Sequence, residues 1–193
     1  MTESTDPYKV PGTDVLRNLR GIPDPKLLAR FEAECATRRI AELINRPVQG
    51  RFDIGHLKAI HRHIFQDVYS WAGQFRTVRL SIGDQLFGVP AFIEPTLEEL
   101  LRKLRGEDYL KGAGPQSFSA RAGFYMAEIN AIHPFREGNG RAQREFIREL
   151  GSNAGLVVHW TRLTQEQMIA ASRDSFATGD SSGLAALILT CIR

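Results

Sequence analysis

Apolar residues recur every three or four positions along most of the chain, in segments set off from one another by glycine and proline, and that period predicts helices. Thr13 to Leu19 reads as a short one, closed by Gly21 and Pro23. Asp24 with Pro25 behind it opens a longer one. Its stripe of Leu27, Leu28, Phe31, Cys35, Ile40 and Leu43 ends before Pro47. Asp53 begins a third, with Ile54, Leu57, Ile60 and Ile64 on the buried face. Pro95 and Thr96 open a fourth that runs through Leu104, and a loop with Gly112, Gly114 and Pro115 follows. Ser117 or Ser119 then starts a central helix that buries Phe124, Tyr125, Ala127, Ile129 and Ile132 and ends at His133. A partner from about Arg141 to Asn153 turns Phe146, Ile147 and Leu150 to the same core. Thr164 and Gln167 form a capping-box pattern for a helix through Ala177, and a last helix begins near Ser182.

Between Trp71 and Pro95 the period drops to two. Thr77, Arg79 and Ser81 alternate with Val78, Leu80 and Ile82, and Gly83-Asp84 separates them from Gln85, Leu86, Phe87 and Val89. This is the pattern of a two-stranded hairpin. A lone hairpin is barely stable, so it leans on the helices or pairs with something else. An open strand edge can also accept an extended segment of another protein. The fold class expected is therefore mainly α, a helical bundle carrying one short β-hairpin.

Length and composition narrow this picture without redirecting it. The 193 residues suit one domain, read here as 1–193 with a short N-terminal arm over 1–10, and no break in composition divides them. With 42% hydrophobic and 24% charged residues the balance is that of a soluble globular protein. A net charge of +3 is too weak to indicate nucleic-acid binding, but it suits an acidic partner or a polyphosphate. Cys35 and Cys191 match no metal or redox spacing and fit a reducing compartment. MTESTDPYKVPG lacks the apolar core of a signal peptide. The apolar run Leu184 to Ile192 is about half of the ~20 residues that cross a bilayer, so a cytoplasmic protein without a membrane span is expected. His56, His61 and His63 share a helix, but no carboxylate spacing accompanies them to make a metal site.

The chemistry concentrates in AIHPFREGNGRAQREFIR, residues 131–148. Pro134 disfavours helix at the residue before it, and the Gly138-Asn139-Gly140 turn leads into the next helix. Helix N-termini disfavour cations, yet Arg141 and Arg144 sit in about the first turn, which makes sense if an anion binds there. Glu137 would repel such an anion unless a cation such as Mg²⁺ lay between them. His133 is placed to act as a base. Each residue alone has a plainer reading: a glycine turn, a capped or buried histidine, or a face of exchangeable ion pairs among Arg141, Arg144, Arg148, Glu145 and Glu149. Their closeness in one stretch favours a site.

HPFREGNGRAQR also matches the Fic family signature HxFx(D/E)GNGRxxR at His133, Phe135, Glu137, Gly138, Asn139, Gly140, Arg141 and Arg144. DPYKVPGTDVLRNLRGI, HRHIFQDVYSWAGQFR and AGFYMAEINAIHPF resemble the short bacterial FicT-type toxins, so the resemblance covers most of the chain. It implies a Fic fold and transfer of AMP from ATP to a hydroxyl of a target protein. His133 would be the base and Glu137 the Mg²⁺ ligand. The Gly138 to Gly140 backbone and the Asn139 side chain would cradle the attacked phosphate, Arg141 and Arg144 would take the outer phosphates, and Phe135 would anchor the loop in the core. The hairpin Ile82, Gly83, Asp84, Gln85, Leu86 and Phe87 corresponds to the flap that holds the target.

In Doc-type kinases of this fold a lysine replaces the glycine corresponding to Gly140, and the γ-phosphate is transferred. Gly140 therefore implies attack at the α-phosphate. The inhibitory pattern [S/T]xxxE[G/N] of many Fic proteins is absent from both ends of the sequence. By resemblance, a small antitoxin would supply that helix in trans and its glutamate would reach Arg144. FicT-type proteins are associated with gyrase and topoisomerase IV subunits, a target class that no residue here selects. The remaining alternatives are a kinase or other nucleotidyl transferase, a nucleotide-binding regulator without turnover, and a non-catalytic binder that uses the hairpin.

Overall fold

The 3.6-residue period becomes seven α-helices in the computed structural model, which describes residues 6–83 and 85–192. They are α1 (Pro25–Asn45), α2 (Ile54–Phe65), α3 (Ile93–Gly106), α4 (Pro115–Ile132), α5 (Asn139–Ala154), α6 (Gln165–Thr178) and α7 (Ser182–Cys191). Their starts follow the chemistry of the chain. The Asp24 side chain accepts from the N–H groups of Lys26 and Leu27, Asp53 accepts from His56, and Thr164 and Gln167 close the expected capping box. Gly155 and Gly179, both left-handed, end α5 and α6.

α4 is the axis of the bundle. It packs along α7 and also against α3, α5 and α6, while α2 joins α1 to α5. Phe118, Ala122, Tyr125, Met126 and Ile129 on α4 are buried against Leu184, Ile188 and Cys191 of α7 and Phe146, Ile147 and Leu150 of α5 within one continuous core. Gly123 lets α7 approach closely: a Cβ there would lie 2.8 Å from the backbone nitrogen of Ala185. Both cysteines are buried and free. Among the described residues, no helix is long and apolar enough to cross a membrane.

Three sequence expectations are corrected. Thr13 to Leu19 is not helical. Lys9 and Leu16 form an isolated antiparallel bridge, and Leu19 N–H donates to the Val68 carbonyl. The Thr13 hydroxyl and Asn18 amide take local backbone groups (Val15 N–H; Leu16 and Ile22), the competition by which such side chains displace helix. The central helix starts at Pro115, ahead of both serines, because proline at the first position needs no N–H partner. The regular pairing of the hairpin is shorter than its alternation: β1 (Ser81–Ile82) pairs with β2 (Gln85–Leu86), with Phe87 N–H reaching the Leu80 carbonyl beyond them. Asp84 lies outside the described residues.

The three histidines of α2 each have a structural partner. His56 accepts from Phe52 N–H and reaches Glu149 at 2.8 Å, and His63 contacts Glu42. His61 accepts from Gly73 N–H at Nδ1, so its Nε2 carries the proton donated to the Glu137 carbonyl. With Phe135 stacked on the His61 ring at 3.8 Å, α2 thus supports the signature loop from beneath.

Candidate active site

The loop between α4 and α5 carries the site. α4 stops at His133, whose backbone is left-handed (φ 50°, ψ 63°) and whose N–H closes on the Ile129 carbonyl. Its Nδ1 lies 3.3 Å from the Asn130 carbonyl, which can only accept. Nδ1 therefore carries the proton and Nε2 keeps its lone pair. Burial pushes the imidazole down to about pKa 4; the Asn130 bond opposes this and the nearby Arg76 charge adds to it. The ring is neutral at physiological pH and is stacked on Phe87 of the hairpin at 3.8 Å.

Past Phe135, which is 1% exposed and anchored as expected of a core residue, the chain turns through Gly138. Gly138 has φ 81°, and a Cβ would fall 2.2 Å from the Phe65 ring, so glycine is required twice over. The Asn139 amide bonds Phe135 on both its N–H and its carbonyl, locking the loop. What Asn139 offers a ligand in this arrangement is its backbone N–H. α5 begins here with no side-chain cap and no acidic residue in its first turn, and its first intrahelical bond runs from Ala142 N–H to the Gly138 carbonyl. The amides of Asn139, Gly140 and Arg141 thus make a helix end suited to an anion.

Arg141 lies over the Phe65 ring, with its guanidinium carbon 4.7 Å from the centroid, and pairs with Glu32 and more loosely with Glu137. Glu32 in turn accepts from the Tyr69 hydroxyl. Arg144 forms no side-chain hydrogen bond or ion pair with a described residue. Burial, together with the charge of Arg141, holds its pKa below the usual value, although a guanidinium remains a cation. Two adjacent cations, one of them without a counter-charge among the described residues, at a helix N-terminus are chemistry that suits a polyanion. Arg136 also lines the cavity, but its charge is already paired: Asp6 of the N-terminal arm holds it through two bonds of 2.8–2.9 Å.

Two cavities meet at His133, Gly140 and Arg144, with Met168 and Ile169 of α6 also common to both. The larger, about 780 Å³, contains the whole glycine loop and Arg141 and opens between α1 and α6. The smaller, about 260 Å³, is mostly apolar, with Ile82, Phe87, Met168, Ile169 and Phe176 in its walls. Ile82 and Leu86 on the hairpin are 51% and 66% exposed beside it. Gly83 forms the turn at φ 58°.

Glu137 fits a magnesium ion. Its side chain is 43% exposed in the larger cavity, and one carboxylate oxygen takes Gly138 N–H and Arg141. Among the described residues no cluster of three or more His, Cys, Asp or Glu side chains forms an all-protein cage. One carboxylate beside a phosphate site is the donor set that Mg²⁺ uses when substrate oxygens and water complete its shell.

Residues 51–150 match the profile of the Fic/DOC family. The chain belongs to this family. It is 43% identical to "Protein adenylyltransferase VbhT" of Bartonella schoenbuchensis over 96% of its own length and 38% of that protein's. It is 41% identical to "Probable protein adenylyltransferase y4lH" of Sinorhizobium fredii over 95% of this chain and 94% of that one. The crystal structure of BepC from Bartonella tribocorum with bound AMPPNP superposes with a TM-score of 0.89 at 27% identity, covering 96% of each chain. The mainly helical Fic fold with its short hairpin is thereby established.

Four residues of this Fic site escaped the sequence reading: Asp6, Glu32, Tyr69 and Arg76. Two left a signal. Glu32 falls four residues after Leu28 and three before Cys35, on the buried stripe of α1. Arg76 shares the parity of Val78, Leu80 and Ile82. A charge in phase with apolar neighbours is buried for a reason. Asp6 and Tyr69 left none.

Proposed function

We propose that this Fic protein transfers AMP from ATP to a hydroxyl side chain of a target protein. The carrying observation is the meeting of the two cavities at His133, Gly140 and Arg144. The apolar slot accepts a base, and the phosphates then cross the amides of α5 toward Arg141 and Arg144. His133 Nε2 takes the proton of the incoming hydroxyl. That oxygen bonds to the α-phosphorus as the bond to the β-phosphate oxygen breaks, and pyrophosphate leaves. Glu137 would hold a Mg²⁺ ion, which would neutralise charge on the phosphates. Positioning and electrostatics are what the protein contributes, as in other phosphate transfers.

Gly140 supports the α-phosphate over the γ-phosphate. A Cβ there would meet only the Arg144 guanidinium, at 3.6 Å, so any longer side chain would extend over that cation into the space the cavities share. The names of the relatives and the AMPPNP in BepC support a nucleotide co-substrate.

The same reading extends to a toxin restrained by a small antitoxin. Ala33, Ala36, Thr37 and Ile40 on α1 face Met168 and Ile169 of α6 across the larger cavity, with Arg144 among its walls. That spacing suits a helix whose glutamate pairs with Arg144. A type II topoisomerase subunit such as that of gyrase is the target class proposed. Expression of the chain alone is expected to arrest growth; harmless, stable expression alongside robust AMP transfer would refute the toxin role.

ATP labelled at the α- or the γ-phosphate, incubated with bacterial extract, tests the reaction. Label from the α position alone, lost in His133→Ala, is expected. Label from γ alone would make the protein a kinase, and label from neither would remove the catalytic reading.

A further inference from the structure

Among the described residues Arg76 has the largest fully buried side chain, at 2% exposure, and no carboxylate of those residues pairs with it. Its guanidinium instead donates to four backbone carbonyls. Nε reaches His133 at 2.7 Å, Nη1 reaches Val78 at 2.6 Å, and Nη2 reaches both Gly88 and, at 3.1 Å, Ile132. The backbone joins in: Arg76 N–H donates to the Pro134 carbonyl and Gly88 N–H to the Ala131 carbonyl. Two of the four acceptors are the last carbonyls of α4, and the other two flank the hairpin. Gly88 can come this close because it lacks a Cβ, which would sit 3.1 Å from the Ile132 carbonyl oxygen.

Burying an unpaired cation is costly, and neutral carbonyls offset less of that cost than a carboxylate would. A salt bridge or an apolar residue would stabilise the fold more simply. What the planar five-donor guanidinium does, and a methylene chain or an ammonium does not, is fix several carbonyls in one plane. Here the carbonyls belong to the catalytic histidine and to both sides of the hairpin.

We propose that Arg76 is a positioning residue that sets the distance and orientation between His133 and the hairpin, so that a hydroxyl docked on the hairpin arrives at Nε2. This inference rests on the AMP-transfer reading. The arginine touches neither nucleotide nor target. It holds the left-handed turn at His133 and, through Val78 and Gly88, the approach of Phe87 to the imidazole. The amides of α5, Arg141 and Arg144 hang on other supports, so phosphate binding is independent of it, whereas the base slot shares Phe87 and His133 with the arrangement that Arg76 holds.

Arg76→Met and Arg76→Lys test this. Arg76→Met is expected to melt cooperatively and to bind inorganic pyrophosphate within about two-fold of wild type by calorimetry, while AMP transfer into extract falls about 100-fold, the scale of an ångström of misplacement. Arg76→Lys, which keeps the charge but not the fork, is expected to fold and to show most of the same loss. A second readout needs no turnover. In the histidine-ring NMR spectrum, with His133 assigned by its disappearance in His133→Ala, the upfield shift imposed by Phe87 is expected to collapse in both variants. A folded Arg76 variant that keeps that shift, or one that loses pyrophosphate binding in step with transfer, overturns the proposal. So does full activity in Arg76→Lys. If wild type transfers no label, the activity reading fails by itself, and the ring shift still decides the role of Arg76.

Discussion

Arg141 is held from three sides before any ligand arrives: by the Phe65 face, by Glu32 and by Glu137. All its contacts to carboxylates run through one terminal nitrogen, which leaves its other donors for phosphate. Glu32 is 8% exposed and does not line the cavity, so it steadies the arginine from behind. Arg141→Ala is expected to raise the barrier by about 2.7 to 4 kcal/mol, or ~10²- to 10³-fold in kcat, the usual loss for one preorganised charge-stabilising donor. Single-turnover transfer of α-labelled AMP measures it; a loss under ten-fold would remove Arg141 from the phosphate site. At this scale the signature was legible because its chemistry is local, all within residues 133–144. Glu32 and Arg76 required tertiary placement, for only burial distinguishes them from surface charges elsewhere on their segments.

Among the elements, the helices were legible where side chains report burial by phase, as in α2 and α5, and caps fixed their starts where Asp24, Asp53 and Thr164 supply the oxygen. The Thr13–Leu19 error has the opposite cause. That segment is organised by bonds to distant backbone, Leu19 to Val68 and Arg17 to Tyr8, and periodicity carries no record of such partners. The hairpin is the least regular element, two residues to a strand, and its apolar Ile82 and Leu86 face solvent at the mouth of the site. Exposed strand edges with apolar side chains pair readily with extended peptide. Replacing Leu86 with Ser is therefore expected to raise the extract concentration giving half-maximal transfer about ten-fold, with ATP binding unchanged. Leu86 is the cleaner probe because Ile82 also lines the small cavity. Equal weakening of ATP binding by Leu86→Ser would assign Leu86, like Ile82, to the nucleotide and not to the target.

For the whole molecule, His61 and His133 are both pushed down to about pKa 4, chiefly by burial. Unfolded histidine titrates near pH 6.5, so between about pH 6.5 and 4 the unfolded chain binds protons that these rings refuse. Stability is complete above that window and falls as pH drops through it, by up to ~1.4 kcal/mol per pH unit for each ring. Glu145 works the other way, because burial raises its carboxyl despite Arg148 beside it. Urea unfolding at pH 7, 6 and 5 is expected to show the decline, with a shallower slope in His133→Ala. An unchanged slope would mean that His133 is protonated in the folded state. The acid limb of kcat/KM is likewise expected near pH 4, not near 6.5.

The common wall between the two cavities has a thermodynamic reach beyond the chemistry. Occupants on either side of Arg144 share one cation, and coupling between two binding events is reciprocal. Whatever factor a partner in the α1–α6 groove takes from the affinity for nucleotide, nucleotide takes from the affinity for that partner. The partner proposed for that groove would therefore be held less tightly where ATP is plentiful and more tightly where it is scarce.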